Sequence, residues 1–367
     1  MFDLGKLVIN VFNPQKGEKM LIMCDVPHME IPTNENWEKR RLMANDWKTK
    51  LSEISEKHNF EVVEDLLLYK ATGVNNGQLP KIGSLDGNEV EIEKVLSDVD
   101  ICISMTEYSA TAPLMEIAKS GTRLRFASMP GVQKSMEETA LSADYGLVAK
   151  KCSVLTPKFT EAISASIHFN SGHKLYIDLR NRVAESDDGM CHKNKSREFP
   201  AINLPSGESC IAPYEGEDRK LGKSLTFGRI PVMISGELVV YVVENNRIIK
   251  VDGSGPEAER KKKYFAEDPA RGNIAELGAG VNEEATINAE SILETEKAGT
   301  HIGTGLSEQL GGKTKANDFK KPENAVHYDH PFAKGCPIEI KSLILEYPDK
   351  TKETIVLNGD YVKSLFN

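Results

Sequence analysis

Between Lys19 and Gly131 short apolar runs alternate with amphipathic stretches, and this order restricts the possible folds more than any single motif does. Residues 19–25 (KMLIMCD) are apolar and end in a turn; residues 36–58 then place Trp37, Leu42, Met43, Trp47, Leu51 and Ile54 near a 3.6-residue period. Residues 60–63 and 66–69 predict one or two further strands, 90–96 a short helix, and 99–105 (VDICISM) a buried strand. A helix over 111–119, stopped by Gly121, precedes a strand over 124–127. Such repeated strand-then-helix order predicts βαβ units around a mostly parallel sheet.

The rhythm then changes. A helix over 156–166 leads into the alternating run 174–178 (KLYID), after which Gly and Pro separate short strands at 225–230, 231–234, 238–243, 247–251, 338–346 and 354–357. Glu244-Asn245-Asn246 reads as a hairpin turn, and helical patterns are confined to 256–265 and 289–298. The polar, aperiodic residues 184–200 read as a mobile loop. The expected fold is an α/β N-terminal domain with a mostly parallel sheet over 1–175, followed by a β-rich α+β C-terminal domain over 176–367 that carries the chemistry.

Charge narrows the partners. Lys and Arg total 46 against 55 Asp and Glu, a net charge of -9, which repels a phosphate backbone, so no nucleic-acid partner is expected. The basic run Arg260-Lys261-Lys262-Lys263 follows Glu257 and Glu259 and reads as a solvated helix face. No stretch approaches the roughly 20 apolar residues of a membrane helix, and residues 1–14 lack a basic region before an apolar core, so a cytoplasmic protein without a membrane partner is expected. The six cysteines are scattered without a C-x-x-C, which points to neither a disulfide framework nor a thiolate zinc site; Cys24 and Cys102, inside apolar runs, read as buried thiols.

Nucleotide-binding glycine patterns, a G-x-S-x-G elbow and an H-E-x-x-H are all missing. What remains is a set of carboxylates and imidazoles in the second half. Glu208 follows the turn Asn203-Leu204-Pro205-Ser206-Gly207, Glu276 lies in AELGAGVN, and His301 follows the helix ending near Lys297. His327 and Asp329 stand two apart, so in an extended chain both point to one face. Three carboxylates and two imidazoles suit a borderline or hard divalent ion: zinc, cobalt, manganese, magnesium or ferrous iron. Each residue taken singly also fits a turn carboxylate, a strand-end carboxylate or a hydrogen-bonded loop histidine.

The strings NLPSGE, AELGAGVN, ETEKAGTHIGTG and N-x-x-VHYD occur in an order that resembles the aminopeptidase T family of dinuclear metallo-aminopeptidases, which includes the aminopeptidase S proteins. The resemblance is specific from Asn203 to Asp329 and loose over the remainder. It implies metal ligands at Glu208, Glu276, His301, His327 and Asp329, two divalent ions (Zn, Co, Mn or Mg), catalytic roles for Glu208 and Glu276, a short peptide or other small-molecule substrate, and a homodimer. The family's tyrosine shortly after the histidine matching His301 is missing, its place falling near Glu308. The 2,5-dihydroxypyridine dioxygenases look like relatives of that family, and they imply instead one ferrous ion and ring cleavage; they carry histidine where this chain keeps Glu276. A non-catalytic binding protein with a degenerate site is the third reading.

Overall fold

A computed structural model describes residues 2–194, 200–287 and 291–367. The chain forms two compact units, one of residues 1–149, 187–207 and 283–286, the other of 150–186, 208–282 and 287–367. The expected division at 175/176 falls inside the second unit's strand Lys174–Asp178. Residues 187–207 return to the first unit because Ala201–Asn203 pairs in parallel with Arg125–Ser128.

The first unit is an α/β layer structure. Its sheet runs in the order Ala201–Asn203, Arg125–Ser128, Ile101–Ser104, Lys19–Val26, Leu67–Lys70, Ile82–Leu85, Asn88–Glu91, with Glu61–Val62 also on Lys19–Val26. The pairings around Lys19–Val26 are parallel, as the alternation predicts, and the last two strands form an antiparallel edge. Helix Glu35–His58 buries Trp37 and Trp47, whose indole N–H groups donate to Asp25 (2.9 Å) and Glu137 (2.7 Å), so neither ring carries an unsatisfied donor into the core. Helix Leu4–Phe12 was not expected, although Leu4, Leu7, Val8 and Val11 follow helical spacing and Asp3 caps it.

Several elements differ from expectation. Only Ile92–Ser97 of residues 90–96 is helical, because Asn88–Glu91 pairs with Ile82–Leu85 as a hairpin. The helix expected over 156–166 is Tyr145–Glu161, and Ser164–Phe169 is a strand that buries Ala165, Ile167 and Phe169 at period two. The two strands expected over 225–234 are one, Phe227–Ile234; Pro231 is tolerated there because the neighbouring Lys174–Asp178 pairs only with Phe227 and Gly228, leaving Pro231's missing N–H on an open side. Of the helix expected over 289–298, residues 289 and 290 lie outside the described residues; the remainder is one α-turn, Ile292–Thr295, and a 3-10 turn, Glu296–Ala298. Of the loop expected over 184–200, residues 195–199 likewise lie outside, and Glu185–Asp187 is a short strand rather than loop. All six cysteines are buried, and none forms a disulfide among the described residues.

Inside the first unit Arg125, 1% exposed, donates to both carboxylate oxygens of Glu18 (2.7 and 3.1 Å) and to the carbonyls of Phe12 and Cys191. Burial works to raise the Glu18 carboxyl, but hydrogen bonds from Arg125 and the Gln15 amide outweigh it and hold it at about 2. A carboxyl that titrates lower folded than unfolded contributes its full stability above its ordinary 4.5 and loses it as pH falls toward 2. Acid denaturation of Glu18→Gln should therefore have a shallower slope than wild type between pH 4.5 and 2; parallel slopes would refute this assignment.

The second unit is β-rich and antiparallel. One sheet runs Arg247–Asp252, Glu237–Glu244, Phe227–Ile234, Lys174–Asp178, Ser164–Phe169, Ile340–Glu346, Lys352–Leu357, Asp360–Tyr361. A second carries Glu208–Ile211, Ile274–Gly280, Thr300–Gly305 and His327–Pro331 side by side. No helix among the described residues is long and apolar enough to cross a membrane.

Candidate metal centre

The register of the second sheet brings all five candidate residues onto one face. Glu208 is opposite Gly280, Glu276 and Asp329 flank Gly303, His301 is opposite Gly278, and His327 is opposite Gly305. Each functional side chain thus has a glycine as its cross-strand neighbour, which leaves room for it to lean over the adjacent strand. A Cβ at Gly278 would overlap the His301 imidazole, and one at Gly303 would meet the His327 ring at 2.9 Å and the Glu276 Cβ at 2.8 Å. The segments E-L-G-A-G and H-I-G-T-G encode this directly, since ligand and glycine recur every second residue.

Two groups of three result, Glu208–Glu276–His301 and Glu276–His327–Asp329, whose donor atoms within each group lie within 4.8 Å of one another. Glu276 belongs to both. Its Oε1 lies 3.3 Å from His301 Nε2 and its Oε2 2.9 Å from His327 Nε2. His301 Nε2 also lies 3.3 Å from Glu208 Oε2, and His327 Nε2 lies 3.2 Å from Asp329 Oδ1. The His327 Nδ1–H donates to the Leu306 carbonyl at 2.6 Å, which orients the ring and directs Nε2 at the carboxylates. His301 is 1% exposed and Glu276 5%, while the His327 side chain keeps 20% of its surface open.

The electrostatics fit a cation. Burial works against charging either imidazole, yet Glu276 and Glu208 push His301 up to about 10, and Asp329 with Glu276 raises His327 well above its ordinary value. Burial would likewise raise Glu276 and Asp329, but the two imidazoles hold both below the usual carboxylate range. These carboxylates thus favour positive charge at the two imidazoles. A divalent ion supplies it through the same Nε2 and carboxylate atoms, so the groups could bind one, and the oxygen and imidazole donors suit zinc, cobalt, manganese, magnesium or ferrous iron.

Several contributors were not expected from the sequence. Lys297, with no exposed side-chain surface, donates to Glu208 Oε1 at 2.5 Å and to Glu296 Oε1 at 2.8 Å. Glu296 is raised up to about 8 by burial, with Lys297 opposing and the charges of Glu208 and Asp329 adding to the rise. A 3-10 turn, Glu308–Leu310, places the Gln309 amide 3.1 Å from His327 Nδ1. Nor is the basic run 260–263 uniformly solvated: Lys261 is half-buried, its ammonium 4.9 Å from the Tyr264 ring centre and 5.3 Å from that of Tyr328.

No protein-family model and no curated protein matches this sequence. Among solved structures, the chain is similar to a 2,5-dihydroxypyridine dioxygenase from Pseudomonas putida KT2440, with a TM-score of 0.64 and 16% identity over 98% of this chain and 96% of that one. It is also similar to wild-type AmpT from Thermus thermophilus, with a TM-score of 0.57 and 14% identity over 98% of each chain. At such identities the likeness is one of fold: an α/β unit followed by a β-rich unit.

Proposed function

We propose that this chain is a metal-dependent aminopeptidase that releases N-terminal residues from short peptides. The observation that carries this reading is that Glu276 is shared by two adjacent three-ligand groups, the arrangement a pair of bridged ions requires. Ions bound there would polarise a scissile carbonyl and acidify a water. The chain's own residues do the rest. Glu276 sets the spacing of the two groups, His327 is oriented through Leu306, and Lys297 holds Glu208 in place while leaving its Oε2 directed at His301. Glu276 belongs to both groups and Glu208 to only one, so of the two catalytic carboxylates Glu208 is the one less committed to ligation and the one assigned the water's proton. The cytoplasmic location and the homodimer are part of the same proposal.

A second reading, a mononuclear ferrous ring-cleaving dioxygenase, draws support from Lys297. Its ammonium already supplies positive charge to Glu208, leaving Glu276–His327–Asp329 as the group for a single ion. The donor set weighs against it, because that group holds one imidazole and two carboxylates, whereas non-haem iron oxygenases use two imidazoles and one carboxylate. Elemental analysis of anaerobically purified protein, followed by reconstitution with zinc, cobalt, manganese or ferrous iron, tests both. The aminopeptidase predicts two ions per chain and hydrolysis of a short peptide such as Leu-Leu. One tightly held iron without hydrolysis would favour the dioxygenase, and no metal under any condition would leave a binding protein.

A further inference from the structure

The strand His327–Pro331 ends its sheet, and a cavity of about 390 Å³, within the range of small-molecule sites, runs along its open edge. His327 and Asp329 line it from one face of the strand and Tyr328 and His330 from the other, with Ile287 and Ile292 adding apolar wall. Arg260 and Lys261, from helix Pro256–Glu267, also line it. Arg260 is neutralised by Glu257 at 2.6 Å. Lys261 differs: among the described residues its ammonium faces two tyrosine rings and pairs with no carboxylate. A half-buried ammonium is costly unless an anion compensates it, and tyrosine faces compensate only in part. The cavity therefore has a metal-suited wall at His327 and Asp329 and, elsewhere in its lining, an ammonium that among the described residues forms no ion pair.

We propose that Lys261 binds the carboxylate of a small, largely apolar substrate whose reacting end lies at His327 and Asp329. Resting on the aminopeptidase reading, this makes the substrate a short peptide with its N-terminal residue at the metal centre and its free C-terminal carboxylate held by Lys261. Peptides blocked at the C-terminus would be poor substrates, because they leave Lys261 without its anion.

The test compares Leu-Leu with Leu-Leu-amide in the metal-loaded wild type, Lys261→Met and Lys261→Arg. Wild type should show a KM about tenfold or more higher for the amide at similar kcat, K261M should treat acid and amide alike, and K261R should keep most of the preference. A wild-type KM that ignores the C-terminal charge, or a K261M that retains the preference, would overturn the proposal. Calorimetric binding of 3-phenylpropionate and 3-phenylpropionamide separates this inference from the peptidase reading. If Leu-Leu is not hydrolysed but the acid still binds wild type more tightly than the amide, and K261M loses that difference, the carboxylate site stands and the peptidase reading falls. If the preference survives in K261M and vanishes in His327→Ala, the metal centre holds the carboxylate and Lys261 has no such role.

Discussion

Replacing Glu276 by glutamine is expected to lower turnover by about three orders of magnitude or more and to release ions from both ligand groups. The reasoning is geometric. Glu276 is the one residue common to the two groups, and each of its oxygens faces a different imidazole. Glutamine keeps the shape but offers a neutral amide, one of whose ends donates where a ligand must accept. Glu208→Gln is the informative comparison. Glu208 belongs only to the group with His301, so this variant should keep the ion at Glu276–His327–Asp329 while losing activity. Elemental analysis alongside kinetics would check the pair: full metal content in Glu276→Gln would remove Glu276 from the centre, and unchanged turnover would remove it from the chemistry.

The legibility of this centre in the sequence was uneven, for physical reasons. The period of two in E-L-G-A-G, H-I-G-T-G and H-Y-D is local, so the residues that share a face could be read before the strands were paired. Which strands lie side by side is not local: Glu208–Ile211 and Ile274–Gly280 are far apart in sequence, and nothing within either segment specifies the other. Lys297 and Glu296 were missed because a Glu-Lys pair in a helical turn reads as solvated surface, and only the packing of that turn buries it. Lys261 was hidden in the same way inside a basic run whose neighbours Arg260 and Lys262 do pair with glutamates on their own helix. In the first half, helix and strand order was legible from periodicity. The hairpin at residues 82–91 was not, because Gly83 and the flanking Lys, Asp and Glu residues suppress an apolar signal at an exposed edge.

Lys297→Met should destabilise the ion-free protein by about 3–5 kcal/mol, the cost of removing one partner from a buried charge pair. Methionine fills most of the lysine volume, so the loss is electrostatic: Glu208 and Glu296 remain together, both almost fully buried, without the ammonium between them. A divalent ion at Glu208–Glu276–His301 would restore part of that charge, so adding zinc or cobalt should stabilise K297M more than wild type and narrow the gap between them. Denaturant unfolding of both proteins, with and without the ion, measures all four stabilities. A K297M as stable as wild type without metal would mean that Glu208 and Glu296 do not depend on the lysine. The ion count of K297M also separates the two functional readings. Two ions in both proteins means that lysine and metal share Glu208, as the aminopeptidase requires. A count that rises from one to two when the lysine is removed means that the Lys297 ammonium occupies the place of the second ion, which makes the native centre mononuclear and favours the dioxygenase.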